Sequence, residues 1–113
     1  MEKTLKLLEQ EFESSCGSTP QWDKFCLVFK KELKEELEKI GIVDFKFRKG
    51  HFYCSGFFQL PDNRIYYFSQ SDVRFFVQHK TSLLIRTAES FTDYIGGRNQ
   101  YINIGIGMFN YLV

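Results

Sequence analysis

Two hydrophobic periods divide this chain. In residues 2–15, Leu5, Leu8 and Phe12 recur at three- and four-residue steps, which predicts a first amphipathic helix. Gly17 is suited to stop it, and the stretch GSTP breaks the pattern. Thr19 is a helix-capping residue and Pro20 fits a first helical position, so a second helix is predicted to start there. Trp22, Phe25, Cys26, Phe29, Leu33, Leu37 and Ile40 form its long apolar stripe. Lys30, Lys31, Lys34, Glu35, Glu38 and Lys39 cover much of the rest, and Gly41 fits the left-handed position that closes a helix. About twenty residues at 1.5 Å rise make a rod of roughly 30 Å, long enough to lie across a whole sheet.

After Gly41 the period falls to two, and β-branched and aromatic residues dominate. Strands are predicted near 42–49, 51–60, 64–69, 73–78 and 82–88, with one more near 101–106. RKGH, LPDNR, SQSD and HKTS are the connections, and LPDNR carries hairpin chemistry. The ending INIGIGMFNYLV fits either a strand or a short helix. The expected fold class is α+β: two N-terminal helices, the second long, packed on one face of an antiparallel β-meander of about five to six strands. Residues 1–113 fit a single domain.

Alternate strand residues point to opposite faces. One parity collects Phe45, Phe47, Cys54, Phe58, Leu60, Ile65, Tyr67, Val73, Phe75, Val77, Leu83 and Ile85, and this set is expected to form the core under the long helix. The other collects Lys46, Arg48, Tyr53, Phe57, Gln59, Tyr66, Phe68, Arg74, Phe76, Gln78 and Arg86. Rings interleaved with cations are what single-stranded nucleic-acid platforms use: bases stack on the rings and the cations hold phosphates. Lys46, Arg48, Tyr53, Phe57, Tyr66, Phe68, Arg74, Phe76 and Arg86 are the candidate binding residues on this face. The same rings also suit a protein partner, a homodimer contact, or a cover supplied by the chain's own first helix or last dozen residues.

Composition supports a folded domain, and 13 Phe with 6 Tyr are more rings than one sheet face absorbs. Net charge is +1, split between −2 for residues 1–41 and +3 for residues 42–113, well short of the basic footprint of a typical DNA binder. Three cysteines without a C-x-x-C argue against a disulfide framework and favour a reducing cytoplasm. No membrane span is expected, and the start lacks the apolar core of a signal peptide.

Catalytic and metal signals are weak. His51 and His79 do not form a ligand spacing with the cysteines, and His51 and Cys54 sit three apart on one predicted strand, facing opposite ways. GIG at 105–107 is too short for a dinucleotide fingerprint. The reading is a non-enzyme with no cofactor and no metal.

The least generic segment is RTAESFTDYIGGRNQY, Arg86 to Tyr101. Gly96 and Gly97 permit positive φ, and consecutive N–H groups there can form an anion nest, with Arg98 and Arg86 adding a fork. Asp93, Tyr94, Gly96, Gly97 and Arg98 are the candidate loop residues for a small anionic ligand. The competing reading, and the favoured one, is a shaped turn in which Asp93 pairs with Arg86 or Arg98.

RTA followed by DYIGGRNQYI resembles a pattern in short uncharacterised proteins carried by phages and other mobile elements of Gram-positive bacteria, which read R-T-A and then D-Y-T-G-G-x-N. The match covers about the last quarter of the chain, and Ile95 stands where Thr is common. The resemblance implies a setting, the cytoplasm of a bacterial host. Small proteins in that setting often act by binding, and some, like anti-CRISPR proteins, occlude a defence nuclease. The leading expectation is therefore a protein that binds a protein partner. Single-stranded nucleic acid on the second sheet face and a small anion at the Gly-Gly-Arg loop are the alternatives.

Overall fold

A computed structural model describes residues 1–15, 17–49 and 54–113. Helix α1 (Glu2–Leu8) and helix α2 (Pro20–Lys39) precede five strands: β1 (Asp44–Phe47), β2 (Ser55–Gln59), β3 (Ile65–Gln70), β4 (Ser82–Ala88) and β5 (Gln100–Asn103). The strands lie in the order β1-β2-β3-β4-β5, each antiparallel to its neighbour. The fold is the expected α+β arrangement of a long helix with an antiparallel meander. No helix among the described residues is long and apolar enough to cross a membrane.

Helix α2 forms as its sequence dictates. Thr19 Oγ1 accepts from the Trp22 N–H at 3.1 Å, Pro20 opens the first turn, and Gly41 follows the cap with φ 78°. Its stripe of Trp22, Phe25, Cys26, Phe29, Leu33 and Leu37 is buried. Each fully buried Phe or Leu of that stripe contributes about 1.5–3 kcal/mol relative to exposure. Lys30 and Lys34 lay their charged heads over Phe47 and Phe45, tying the helix to edge strand β1. Glu36, buried on the same helix, accepts from the Gly107 N–H at 2.9 Å and so holds the C-terminal segment.

Helix α1 stops at Leu8, well short of the expected residue 15, because Gln21 competes for the backbone. Its side chain accepts from the Glu13 N–H at 3.0 Å and donates to the Glu11 carbonyl at 2.9 Å. Phe12 still reaches the core, edge-on to Trp22 and Phe25. At the other end of α1, the amides of Lys3 and Thr4 donate to the Glu32 carboxylate of α2.

Two sheet expectations are corrected. In β3 the faces are exchanged: Tyr66 and Phe68 lie on the core side and are buried, whereas Ile65 and Tyr67 face the other way. The β2–β3 turn sets this. Leu60 to Arg64 intervene between the paired residues Gln59 and Ile65, with Asn63 at φ 73°, so Phe58 pairs with Tyr66 and Gly56 with Phe68. The Tyr66 ring stacks on Phe58 at 5.5 Å, and Phe68 meets Phe47 at 5.5 Å.

The strand expected at 73–78 is a turn followed by a short 3-10 segment, Val77–His79. Asp72 makes it so. Its carboxylate accepts from the Arg74 N–H, and its carbonyl accepts from the amides of Phe75 and Phe76, all at 3.0 Å. Val73 is buried as expected, but Phe75 and Val77, assigned to the core by period, are exposed, as is Phe76. Arg74 is not a surface cation. It is buried, pairs with Asp72 at 2.8 Å, donates to the Gly17 carbonyl at 2.6 Å and stacks 4.4 Å from the Trp22 ring centre. The ambiguous ending is both things in turn: strand β5, then a 3-10 segment at Asn110–Leu112.

Candidate functional site

The second face of the sheet carries one continuous row, Lys46–Phe57–Tyr67–Arg86, across β1 to β4. This row is not open. The β4–β5 connection, residues 89–99, folds back over it. Phe91 stacks on Phe57 at 5.8 Å, Tyr94 meets Phe57 edge-on at 5.4 Å, and the Arg48 guanidinium lies 4.5 Å from the Tyr94 ring centre. Phe57 is left with 0% exposure.

Two charges hold this loop in place. The Arg86 guanidinium stacks 4.4 Å from the Tyr67 ring and donates to the carbonyls of Gly96 at 2.6 Å and Asp93 at 2.7 Å. The Asp93 carboxylate accepts from the amides of Gly96 at 2.8 Å, Glu89 at 2.9 Å and Ile95 at 3.1 Å. Those amide bonds, the one from Gly96 foremost, hold the Asp93 carboxyl down to about 2, so it is ionised at neutral pH. Arginine takes the loop's carbonyls and aspartate takes its amides.

The two glycines are required by this closure. Gly97 has φ 82°, and a Cβ there would lie 2.1 Å from the Thr87 carbonyl oxygen. A Cβ on Gly96 would lie 2.6 Å from an Asp93 carboxylate oxygen. Of the nest expected at Gly96-Gly97, the Gly96 amide is taken by the chain's own Asp93, together with the amides of Ile95 and Glu89. The aspartate binds amides, and Arg86 binds carbonyls, in place of the expected Asp93–arginine ion pair. Arg98 is exposed and takes no hydrogen bond or ion pair among the described residues.

The nine candidates of the sheet face are therefore dispersed. Lys46, Phe57 and Arg86 share the second face, and Arg48 follows them at the edge, bonded through its N–H to the Ser55 carbonyl. Tyr66 and Phe68 are core, Arg74 is a buried anchor, and Phe76 sits on the turn. Tyr53 lies outside the described residues, as does His51 of the Cys-His pair considered above. Of the loop candidates, Asp93, Tyr94, Gly96 and Gly97 build the cover, and Arg98 stands apart. Phe91, the ring that seals Phe57, stands outside the periodic pattern; its one signal in the sequence is an aromatic residue in an otherwise polar connection, AESFTD.

Elsewhere, Cys26 and Cys54 bring their sulfurs to 3.5 Å in the core. That contact, together with burial, holds the Cys54 thiol well above its ordinary range, which suits an inert packing role. Among the described residues, no group of three His, Cys, Asp or Glu is placed to hold a metal ion. In the turn after Asp72 three consecutive apolar residues, Phe75, Phe76 and Val77, are 49%, 51% and 62% exposed, whereas other exposed apolar residues such as Leu27, Ile95 and Ile106 are separate from one another in sequence. No family model, curated protein or solved structure matches this chain in comparisons with known proteins.

Proposed function

We propose that this chain is a non-enzymatic binding protein that acts by docking on another protein through the turn Phe75–Val77. The observation that carries this reading is three consecutive large apolar side chains, each about half exposed or more, on a backbone pinned by the Asp72–Arg74 pair. A pinned backbone has less freedom to lose on binding, and buried aromatic anchors supply most of the energy of typical interfaces. The resemblance at the C-terminal end adds a setting: a phage or mobile element in a bacterial cytoplasm, with a host or defence protein as the target and occlusion as the mode of inhibition.

The test replaces Phe75, Phe76 and Val77 together by serine. A tagged wild-type chain is expected to recover a discrete, stoichiometric protein from Gram-positive host cells. The triple variant should lose at least about tenfold in affinity for it, while its folding stability stays within about 0.5 kcal/mol of wild type. Undiminished recovery by the variant would contradict the docking turn. A wild-type chain that recovers no protein and protects neither phage nor plasmid would contradict the function.

A further inference from the structure

Strand β4 runs three residues beyond its last pairing with β5, at Ile85 and Gln100. A cavity of about 290 Å³ opens at that step. Tyr66 and Ile85, both core-side residues, line it together with Tyr111 of the C-terminal 3-10 segment. Two arginines, Arg64 and Arg98, also line it, while Arg86 borders it between Ile85 and Thr87 with its guanidinium on the other face of the sheet; no carboxylate is among its described lining residues. We propose that this cavity is a binding site for a small organic phosphate of the size of a phosphorylated sugar or nucleoside.

The charges argue for an anion. Arg64 is fixed on one wall: its Nε pairs with Asp62 at 2.7 Å, one terminal nitrogen donates to the Tyr66 hydroxyl at 3.1 Å and the other to the Leu112 carbonyl. Arg86 is buried on the other face, held by the Tyr67 ring and the loop carbonyls of Asp93 and Gly96, and takes no part. The Arg64 charge is therefore built into the wall, and each of its terminal nitrogens carries a second N–H beyond those bonds. Arg98 is the second cation, with no counter-ion among the described residues and a side chain free to close on a ligand. Guanidinium groups match phosphate oxygens in pairs, and a tetrahedral dianion answers more than one of them. The exposed Tyr111 ring offers apolar contact to the organic part, and the volume lies near the lower end for small-molecule sites, which run from about 300 Å³ upward. Asp93 already takes the amides of Glu89, Ile95 and Gly96, so the arginines carry the recognition.

This site shares no residue with the docking turn and can be tested apart from it. Calorimetric titration of the full chain at low salt would compare ribose 5-phosphate, adenosine monophosphate, inorganic phosphate and uncharged ribose. Either or both organic phosphates are expected to bind, and whichever binds more tightly defines the organic part. Inorganic phosphate should bind more weakly, and ribose not at all. Arg98→Ala, at an exposed residue, should weaken binding about tenfold or more. Gln100→Glu, which sets a carboxylate into the lining at an exposed strand end, should do the same. No heat with any phosphate, or binding unchanged in both variants, would overturn the proposal. Inorganic phosphate binding as tightly as the organic phosphates would overturn the ligand class.

Discussion

Replacing Phe57 by alanine is expected to cost about 3–5 kcal/mol of folding stability. The side chain is fully buried although it points away from helix α2, because Phe91, Tyr94 and Tyr67 surround it. Its removal would leave a cavity bounded by the sheet below and by a loop above that Arg86 and Asp93 hold in place, so collapse to fill the space is restricted. A ring on an open stacking platform would behave differently, since truncating an exposed side chain changes stability by about 0.5 kcal/mol or less. Denaturant unfolding of Phe57→Ala beside Phe76→Ala separates the two cases. A large loss for the first and little for the second is expected, and equal small losses would contradict a packed loop.

The elements legible in the sequence are those specified by neighbours along the chain. Helix α2 announces itself through a stripe with a cap at one end and a glycine at the other, and β4 occupies the predicted residues 82–88. The hairpin at LPDNR is also plain. The misread features depend on a side chain competing for backbone groups or on the parity of a turn. Gln21 cannot be seen to shorten α1 until the fold brings it to Glu11 and Glu13. Asp72 turns an alternating stretch into a loop, and the five residues from Leu60 to Arg64 exchange the faces of β3. The loop over the second face was readable only as alternatives. Its glycines and charges mark a special turn, which Asp93 shapes through bonds to its near neighbours Glu89, Ile95 and Gly96, but the seat of Phe91 and Tyr94 on Phe57 follows from tertiary contacts.

Replacing Arg74 by alanine is expected to destabilise the fold by about 2–4 kcal/mol. Arg74 is read from period as a surface cation, yet its side chain is 2% exposed and joins three parts of the chain: Asp72 on its own turn, Gly17 before α2, and the Trp22 ring. Its loss removes the fork from Asp72, leaves the Gly17 carbonyl without that donor and opens space beside Trp22. Asp72 is partly exposed and can regain water, which keeps the cost below that of a fully buried orphan charge. Arg74→Lys should recover only part of the loss, because an ammonium cannot reproduce the planar fork or its stacking. Docking through Phe75–Val77 should weaken with Arg74→Ala as well, because the turn loses its pin. A stability change below about 1 kcal/mol in denaturant unfolding would show that Arg74 is not the anchor.

The chain covers its own second sheet face with the loop that carries Asp93, Gly96 and Gly97. The most direct measurement is the set of proton–proton nuclear Overhauser contacts of the Phe57 ring in solution. Strong contacts from Phe57 to the rings of Phe91 and Tyr94 are predicted from centroid separations of 5.8 and 5.4 Å. A Phe57 ring in contact with Tyr67 alone, with neither loop ring near it, would contradict the account.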